Sequence, residues 1–226
     1  MAALLIIFAK EPRPGQVKTR FCPPLSLKAA ARLYQGFLED VLEVGERLPG
    51  LSLALTYSPE GAAAFFRRLA PPGVRLFPQA GADLGERMHK ALEWGLSSGF
   101  NVVLLRGADT PDLPGEVILE GKAVLEEARA QVVLGPSRDG GYYLVGLTSP
   151  QPELFRGLTW STPAVLDETL SRARARSLSV HLLPPWSDID TYGDLQAFLA
   201  RPHPPPLPGW RSHRLARELL GPQPQN

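Results

Sequence analysis

The stretch LLIIFA, residues 4–9, followed by KEPRPGQVKTR, residues 10–20, decides the fold of this chain. An unbroken apolar run of this length, ended by two prolines and a glycine, predicts a short buried strand and then a loop. In open α/β sheets, ligands bind beyond the carboxyl ends of the strands. The loop of residues 10–20 is therefore expected to lie where a ligand binds.

The rest of the chain alternates short apolar runs with longer helical patterns. We predict strands over residues 51–57, 74–77, 102–105 and 131–134, and helices over 27–42, 61–69, 84–96 and from Pro114 onward. This alternation predicts βαβ units. Beyond Gly141, we predict a strand at 142–147, a helix at 161–176, a strand at 179–183 and a helix at 191–200. The fold class is thus α/β, a Rossmann-like three-layer αβα arrangement with a mostly parallel central sheet.

The length and composition favour one well-packed domain. The chain has 226 residues, of which 44% are hydrophobic, and no internal repeat or boundary interrupts it before Arg201. We therefore expect a single domain over residues 1–201. Residues 202–226 are expected to hold a proline-rich spacer at 202–208 and a short helix at 210–220.

Charge and cysteine content exclude several classes of function. The formal net charge of +1 gives no global electrostatic case for binding nucleic acid or a membrane. Cys22 is the only cysteine, so an intramolecular disulfide is impossible and a reducing compartment is expected. The apolar segment 2–9 is too short to span a bilayer and lacks the basic flank of a signal peptide. These features together predict a cytoplasmic protein.

The loop after the first predicted strand carries four cations, Lys10, Arg13, Lys18 and Arg20. Such groups, on a loop stiffened by two prolines, can surround a polyphosphate. The glycine spacing differs from that of a Walker loop or a dinucleotide fingerprint. A solvated basic loop explains the same residues, and spacing alone leaves both interpretations open.

A second candidate element is the turn Gly107-Ala108-Asp109-Thr110-Pro111-Asp112, directly after a predicted strand. The glycine and proline fix the direction of Asp109 at the ligand-binding edge. Mg²⁺ binds one or two carboxylates together with substrate phosphates, so Asp109 is a candidate metal ligand. For Asp112 we favour a structural role, in which its side chain caps the helix that begins at Pro114.

Two later turns also follow predicted strands. Asp139-Gly140-Gly141-Tyr142 permits close backbone approach to a ligand, although a tight hairpin explains its glycines equally well. In Asp188-Ile189-Asp190, the alternation of side chains along an extended backbone places both carboxylates on the same side. The alternative explanation is structural, because the N-terminus of the helix that follows favours acidic residues. A second acid is needed beside Asp109 to hold a metal, and this turn is a candidate to supply it.

The combined, ordered set of these elements resembles a known family far more specifically than any one of them does. The set comprises Phe8-Ala9-Lys10, Pro14-Gly15, Lys18-Thr19-Arg20, Asp83-Leu84-Gly85-Glu86-Arg87-Met88, Gly107-Ala108-Asp109-Thr110-Pro111, Gly135-Pro136, Asp139-Gly140-Gly141-Tyr142 and Asp188-Ile189-Asp190-Thr191. From about residue 4 to 199 it resembles bacterial glycosyltransferase-A-fold transferases, labelled radical-SAM/selenodomain-associated transferase or arsenosugar-biosynthesis glycosyltransferase. More distantly, it is similar to the phospholactate guanylyltransferase and molybdenum-cofactor nucleotidyltransferase families.

This resemblance implies a nucleotide-diphospho-sugar transferase-like domain and a role for each element. Nucleotide-binding residues would be Lys10, Gly15, Lys18, Arg20, Leu84, Gly85 and Arg87, with Leu84 and Gly85 beside the base. Acceptor-binding residues would be Asp139, Gly140, Gly141, Tyr142 and Trp160. Asp109 and Asp190 would share a divalent metal, Mg²⁺ or Mn²⁺, and Lys18, Arg20 and Asp109 would be the catalytic groups.

Three functions remain open at this stage. In nucleotidyl transfer, the phosphate of a small molecule attacks the α-phosphorus of a nucleoside triphosphate, which the basic loop and the Asp-Thr-Pro turn slightly favour. In glycosyl transfer, a nucleoside diphosphate departs from a nucleotide sugar, which the family label favours. The chain lacks the Asp-x-Asp triplet of typical metal-dependent glycosyltransferases after the fourth strand, and its first loop lacks the glycine-rich signature of most nucleotidyltransferases. A nucleotide-binding protein without catalysis is the third interpretation.

Overall fold

The computed structural model describes residues 1–201 and 208–221. Its centre is a seven-stranded sheet in the order β3-β2-β1-β4-β6-β5-β7. The strands are β1 (Ala3–Lys10), β2 (Ser52–Ser58), β3 (Arg75–Pro78), β4 (Val102–Arg106), β5 (Val132–Pro136), β6 (Tyr142–Leu147) and β7 (Val180–Leu182). The helices are α1 (Leu27–Arg47), α2 (Ala63–Leu69), α3 (Leu84–Ser97), α4 (Gly115–Glu126), α5 (Val165–Ala175), α6 (Tyr192–Leu199) and α7 (Trp210–Leu220).

The sheet is mostly parallel, as the sequence predicted. β1 pairs in parallel with β2 and β4, and β2 with β3, while β5 pairs in parallel with β7. β6 lies antiparallel to both β4 and β5, so within the described residues it alone runs against the others. β5 and β6 form a hairpin, and the adjacent glycines Gly140 and Gly141 lie in the turn between them. The α/β class and the mostly parallel sheet are therefore confirmed.

Helices cover both faces of the sheet and give three layers. Leu5 and Ile7 of β1 pack into one apolar core together with α1, α2, α4, α6 and α7. Leu4 and Ile6, which alternate with them, pack into a second core with α3 and α5. Because both faces of β1 are buried, its sequence is continuously apolar rather than alternating.

The order of the strands reverses at β1, because its two neighbours in the sheet, β2 and β4, lie on opposite sides of it. β1 connects through α1 to β2, whereas β4 lies against the opposite edge of β1. This reversal of strand order creates a crevice beyond the carboxyl ends of β1 and β4, where open sheets bind ligands. The loops that follow these two strands contain Lys18 and Asp109.

Several predicted helix starts are confirmed at the level of hydrogen bonds. The Ser26 side chain accepts from the backbone N–H of Ala29. Thr191 and Asp194 form a reciprocal capping box at the start of α6. The helix predicted from residue 161 begins later, at Val165, because Ser161 has a left-handed backbone with φ 63° that interrupts helical geometry.

The C-terminal helix α7 packs on α1. Asp40 of α1 is buried and accepts hydrogen bonds from both the backbone N–H and the hydroxyl of Ser212. Arg211 adds ion pairs to Glu39 at 3.3 Å and Glu43 at 2.9 Å. The short helix predicted at 210–220 is thus present, while the spacer predicted at 202–208 lies almost entirely outside the described residues. Among the described helices, none has the length and apolar character needed to cross a membrane.

Candidate functional site

A crevice of about 380 Å³ opens at the carboxyl ends of β1 and β4. This volume falls in the range of small-molecule sites, about 300–1,000 Å³. One part of its wall is charged, and is formed by Lys10, Lys18, Asp109 and Asp190. Another part is apolar or aromatic, and is formed by Phe8, Tyr34, Leu84, Met88, Leu105, Tyr142, Tyr143, Leu144 and Val145. The crevice therefore offers a polar and an apolar surface to the same ligand.

Lys18 occupies the centre of the charged wall. Its ammonium lies 2.6 Å from Asp109 Oδ1, 2.6 Å from Asp190 Oδ1 and 2.6 Å from the carbonyl oxygen of Ile189. Its side chain is only 5% exposed. Loops that are far apart in sequence thus meet at one nitrogen atom.

The protein holds Lys18 in its charged form. Burial alone would lower its pKa, but the carboxylates of Asp109 and Asp190 outweigh burial and place the pKa above its ordinary value. The rings of Phe21 and Phe37 lie on the other side, with centroids 5.7 and 5.5 Å from the ammonium. The backbone of Lys18 is left-handed, with φ 48°, a conformation that is unfavourable for a non-glycine residue.

Backbone hydrogen bonds join the three loops that carry the acids. The N–H of Ile189 donates to the carbonyl of Asp109 at 2.9 Å. The N–H of Arg138 donates to the carbonyl of Trp186 at 3.1 Å, which extends the pairing of β5 with β7 beyond their ends. These bonds fix the spacing between the acids, so the site does not depend on side-chain contacts alone.

Three carboxylates form a group with the chemistry of a divalent metal site. Asp139, Asp188 and Asp190 each place one oxygen within 4.8 Å of the other two. Carboxylate oxygens are hard ligands of the kind that Mg²⁺ and Mn²⁺ prefer, so this donor set fits either ion. Asp109 lies outside this group and instead contacts Lys18.

Asp188 is the most perturbed acid of the site. Burial, followed by the charge of Asp109, raises its pKa to about 7, against a hydrogen bond donated by the Ser137 hydroxyl at 3.0 Å. Asp190 and Asp139 add to the repulsion. Such crowding of like charges is typical of a site built to receive a cation.

Two groups at or beside the crevice were given no functional role by sequence reasoning. Arg106, the last residue of β4, is 1% exposed, and its guanidinium donates to the carbonyl and hydroxyl oxygens of Thr110 and to the carbonyl of Gly107. It therefore fixes both ends of the turn that carries Asp109. A basic residue that ends an otherwise apolar strand was the available signal.

The second missed group is the hydroxyl of Tyr34, which sequence analysis treated only as an apolar position of α1. It accepts a hydrogen bond from the backbone N–H of Lys10 at 3.2 Å and lines the crevice. Burial, and then the charge of Asp109, raises its pKa, so the phenol keeps its proton. No feature of the helical period distinguishes it from a core aromatic residue.

Asp112 does not cap α4, so this expectation was wrong. The N-cap of α4 is Pro114, which has no side-chain hydrogen bond. Asp112 is buried, accepts a hydrogen bond from the indole N–H of Trp186 at 3.0 Å and lies 3.5 Å from Arg201. It joins the β4 turn to the segment that follows β7.

Two glycines of the predicted ligand turns, Gly85 and Gly140, are required by packing. A Cβ on Gly85 would meet the carbonyl oxygen of Phe155 and would come within 2.6 Å of the Trp160 ring. A Cβ on Gly140, whose φ is +91°, would come within 2.6 Å of the carbonyl carbon of Pro163. These close approaches bring Trp160 against α3 and edge-on to Tyr142, at 6.4 Å between ring centroids.

Of the remaining predicted residues, some line the crevice and others lie in the turns beside it. Lys10 and Leu84 line the crevice directly. Arg20 is exposed in a short 3-10 turn, where its charge acts on Asp194. Arg87 donates to the carbonyl of Gly81 at 3.0 Å and so holds the turn before α3. Gly15 has a φ of 78° in the loop, and the backbone N–H of Gly141 donates to Asp139 at 3.0 Å.

The sequence of residues 41–162 matches the family described as "Uncharacterized protein conserved in bacteria (DUF2064)". Among curated proteins, no match to the sequence was found.

Several solved structures have a similar fold. A "putative nucleotide-diphospho-sugar transferase" from Desulfovibrio desulfuricans G20 is 34% identical, covering 96% of this chain and 94% of that one, with a TM-score of 0.87. CMP:2-keto-3-deoxy-manno-octonic acid synthetase complexed with CTP is 9% identical, covering 88% and 97%, with a TM-score of 0.56. A manganese complex of Rv0371C from Mycobacterium tuberculosis H37Rv is 14% identical, covering 89% and 100%, with a TM-score of 0.51. The last two show a shared fold.

Proposed function

Because the chain belongs to the bacterial family DUF2064, and because its crevice combines a charged and an apolar wall, we propose that it is a metal-dependent transferase with a nucleotide-activated substrate. The observation that carries this proposal is the convergence of Lys18, Asp109 and Asp190 at the point where the strand order reverses. That point is where α/β sheets bind nucleotides. The similar Desulfovibrio structure, described as a nucleotide-diphospho-sugar transferase, supports the same class.

Within this class we favour nucleotidyl transfer to a phosphorylated small molecule or sugar. A phosphate oxygen of the acceptor forms a bond to the α-phosphorus of a nucleoside triphosphate, and the bond from that phosphorus to the β-phosphate oxygen breaks, releasing pyrophosphate. The attacking group belongs to the acceptor, so the protein needs no covalent nucleophile. Its task is positioning and the neutralisation of charge on the phosphates.

Each part of the crevice then has a role that follows from its chemistry. Lys18 and Arg20 stabilise negative charge on the phosphates, with Lys10 beside them. Leu84, with Met88, forms an apolar wall against which a base can pack, and Gly85 lets Trp160 approach that wall. We propose Asp139, Gly140, Gly141, Tyr142 and Trp160 for the acceptor side. Gly15 and Arg87 act by shaping the two turns that border the nucleotide.

A divalent metal, Mg²⁺ or Mn²⁺, would be held by Asp190 together with Asp109 or with Asp139 and Asp188, and would supply positive charge to the phosphates. The oxygen-only donor set fits both ions. The manganese complex of the similarly folded mycobacterial protein is consistent with this choice. Arg106 hydrogen-bonds to Gly107 and Thr110 and so fixes the backbone of the turn that carries Asp109.

Glycosyl transfer from a nucleotide sugar is the second candidate, and the description of the Desulfovibrio structure favours it. The two reactions differ in the bond that breaks. Nucleotidyl transfer cleaves between phosphates and liberates pyrophosphate, whereas glycosyl transfer cleaves the bond between sugar carbon and phosphate oxygen and liberates a nucleoside diphosphate. A nucleotide-binding protein without catalysis would liberate neither.

Product analysis tests the proposal. Purified protein is first screened by thermal unfolding against nucleoside triphosphates and nucleotide sugars, with and without Mn²⁺, because a ligand that binds only the native state raises its stability. The best nucleotide is then incubated with a panel of phosphorylated sugars and small molecules. We expect metal-dependent stabilisation, followed by pyrophosphate release that requires an acceptor. Release of nucleoside diphosphate from a nucleotide sugar would instead establish glycosyl transfer.

A further inference from the structure

The ammonium of Lys18 has no hydrogen-bond donor left for a ligand. An ammonium carries three N–H donors. Three oxygen atoms, one each from Asp109, Asp190 and the Ile189 backbone, lie 2.6 Å from its nitrogen. A lysine that binds phosphate from this position must first give up at least one protein partner.

Asp190 belongs to two groups of charges at once. One of its oxygens is paired with Lys18, and the same carboxylate is part of the cluster with Asp139 and Asp188. A dication bound to Asp190 in this cluster would share that carboxylate with the Lys18 ammonium, so that one carboxylate group would separate the two cations. Two cations at that separation repel each other strongly, particularly in a site where the ammonium is almost fully buried.

We propose that Lys18 is a resident cation of the acidic site, which leaves Asp109 and Asp190 when a divalent metal binds and then contacts the phosphates of the nucleotide. This inference deepens the proposed function and rests on it. Before ligand binding, the ammonium neutralises carboxylates that would otherwise repel one another. When a metal takes over this neutralisation, the freed ammonium supplies its charge to the phosphates.

The Lys18 ammonium has only a short distance to move in this exchange. Lys18 lines the same crevice as Lys10 and Leu84, so its ammonium needs to turn toward the cavity and not to cross a packed core. The aromatic rings of Phe21 and Phe37 are buried behind it and close the opposite direction. The metal and the nucleotide therefore depend on one another in binding.

Calorimetry on the full-length chain tests this exchange with two ligands. The first titrant is MnCl₂ alone, and the second is the complex of Mn²⁺ with inorganic triphosphate, which carries no base. We expect Lys18→Met to bind Mn²⁺ at least about tenfold more tightly than the unchanged protein, because a competing cation has gone. The same variant should bind the Mn²⁺–triphosphate complex at least about tenfold more weakly, because a charge-assisted hydrogen bond is lost.

Two further variants make the result interpretable. Lys18→Gln keeps hydrogen-bond donors between the acids without the charge, so it should show the same opposite shifts if Lys18→Met fails to fold. Arg20→Ala removes an exposed cation that forms no ion pair with Asp109 or Asp190 within the described residues, so it should weaken triphosphate binding and leave Mn²⁺ affinity unchanged. Circular dichroism verifies the fold of each variant.

The outcomes separate the inference from the proposed function. Unchanged or weaker Mn²⁺ binding in the Lys18 variants would overturn the resident-cation inference, even if triphosphate binding weakens in Arg20→Ala. Tighter Mn²⁺ binding with unchanged triphosphate affinity would overturn the transfer of the ammonium to the phosphates. If the unchanged protein binds neither Mn²⁺ nor the triphosphate complex, the proposed function itself fails.

Discussion

Replacing Asp190 with Asn should lower the affinity for Mn²⁺ by at least about 100-fold, equivalent to about 2.7 kcal/mol. Asp190 is paired with Lys18 and also belongs to the cluster with Asp139 and Asp188. Its negative charge therefore contributes to binding both the Lys18 ammonium and a metal ion in the cluster. An amide has nearly the same volume and keeps an oxygen that can accept from Lys18, so the fold should survive. Calorimetric titration with Mn²⁺, with and without a nucleotide, measures the effect.

Asp167→Asn is the matched control for this substitution. Asp167 is exposed in the first turn of α5, away from the crevice lining. Its replacement also removes one negative charge, but should leave Mn²⁺ affinity unchanged and alter stability within about 0.5 kcal/mol. Equal Mn²⁺ affinity in Asp190→Asn and Asp167→Asn would remove Asp190 from the metal site.

Gly140→Ala is expected to reduce the free energy of unfolding by about 3 kcal/mol. The residue has a φ of +91°, where a side chain is strained, and a Cβ would overlap the backbone of Pro163. Backbone atoms cannot move aside as a flexible side chain can, so the hairpin of β5 and β6 or the segment before α5 has to shift. For a chain of this size the midpoint of thermal unfolding should fall by roughly 6–12 °C.

Gly61→Ala provides the corresponding control for a glycine substitution. Gly61 is exposed, has no neighbouring atom within 4 Å of an added Cβ and has no positive φ. Alanine there restricts the unfolded chain without straining the native one, so stability should stay equal or rise slightly. A Gly140→Ala protein as stable as Gly61→Ala would show that the Pro163 segment does not pack against the hairpin as described.

Much of the fold was predictable because local sequence and tertiary structure agree. The continuous apolar run of residues 4–9 predicted a buried strand, and β1 lies inside the sheet, between β2 and β4, with helices on each face. Ser26 and the Thr191–Asp194 pair predicted helix starts through side-chain chemistry that needs no distant partner. The start of α5 was predicted too early because the left-handed conformation of Ser161 cannot be read from neighbouring residues.

The site was predictable in its location and less so in its contacts. Loops after parallel strands must converge at one edge, which is why Lys18, Asp109 and Asp190 were expected together. The Lys18 nitrogen contacts Ile189 and Asp190, which lie 171 and 172 positions away along the chain, and no local pattern specifies these contacts. The same holds for Arg106, whose buried guanidinium is explained only by the turn that folds over it.

The glycines have a packing role that the sequence did not reveal. Gly85 was expected to lie beside a base, and Gly140 either to permit approach of a ligand or to form a tight hairpin turn; the structure adds close packing of these residues against Trp160 and Pro163. The sequence shows that a position has no side chain, but not which neighbouring atom occupies the space. Packing of this kind brings the Trp160 ring near Tyr142, so both explanations converge on the same side of the crevice.

A crystal structure of the unchanged protein with Mn²⁺ and the best-bound nucleotide, recorded near the manganese absorption edge, tests the central claim most directly. We predict one anomalous peak beside Asp190, with phosphate oxygens on its other side and the base against Leu84. The Lys18 ammonium should contact phosphate in that crystal instead of both acids. An anomalous peak away from Asp190, or a nucleotide seated elsewhere than the carboxyl ends of β1 and β4, would contradict the assignment of this crevice.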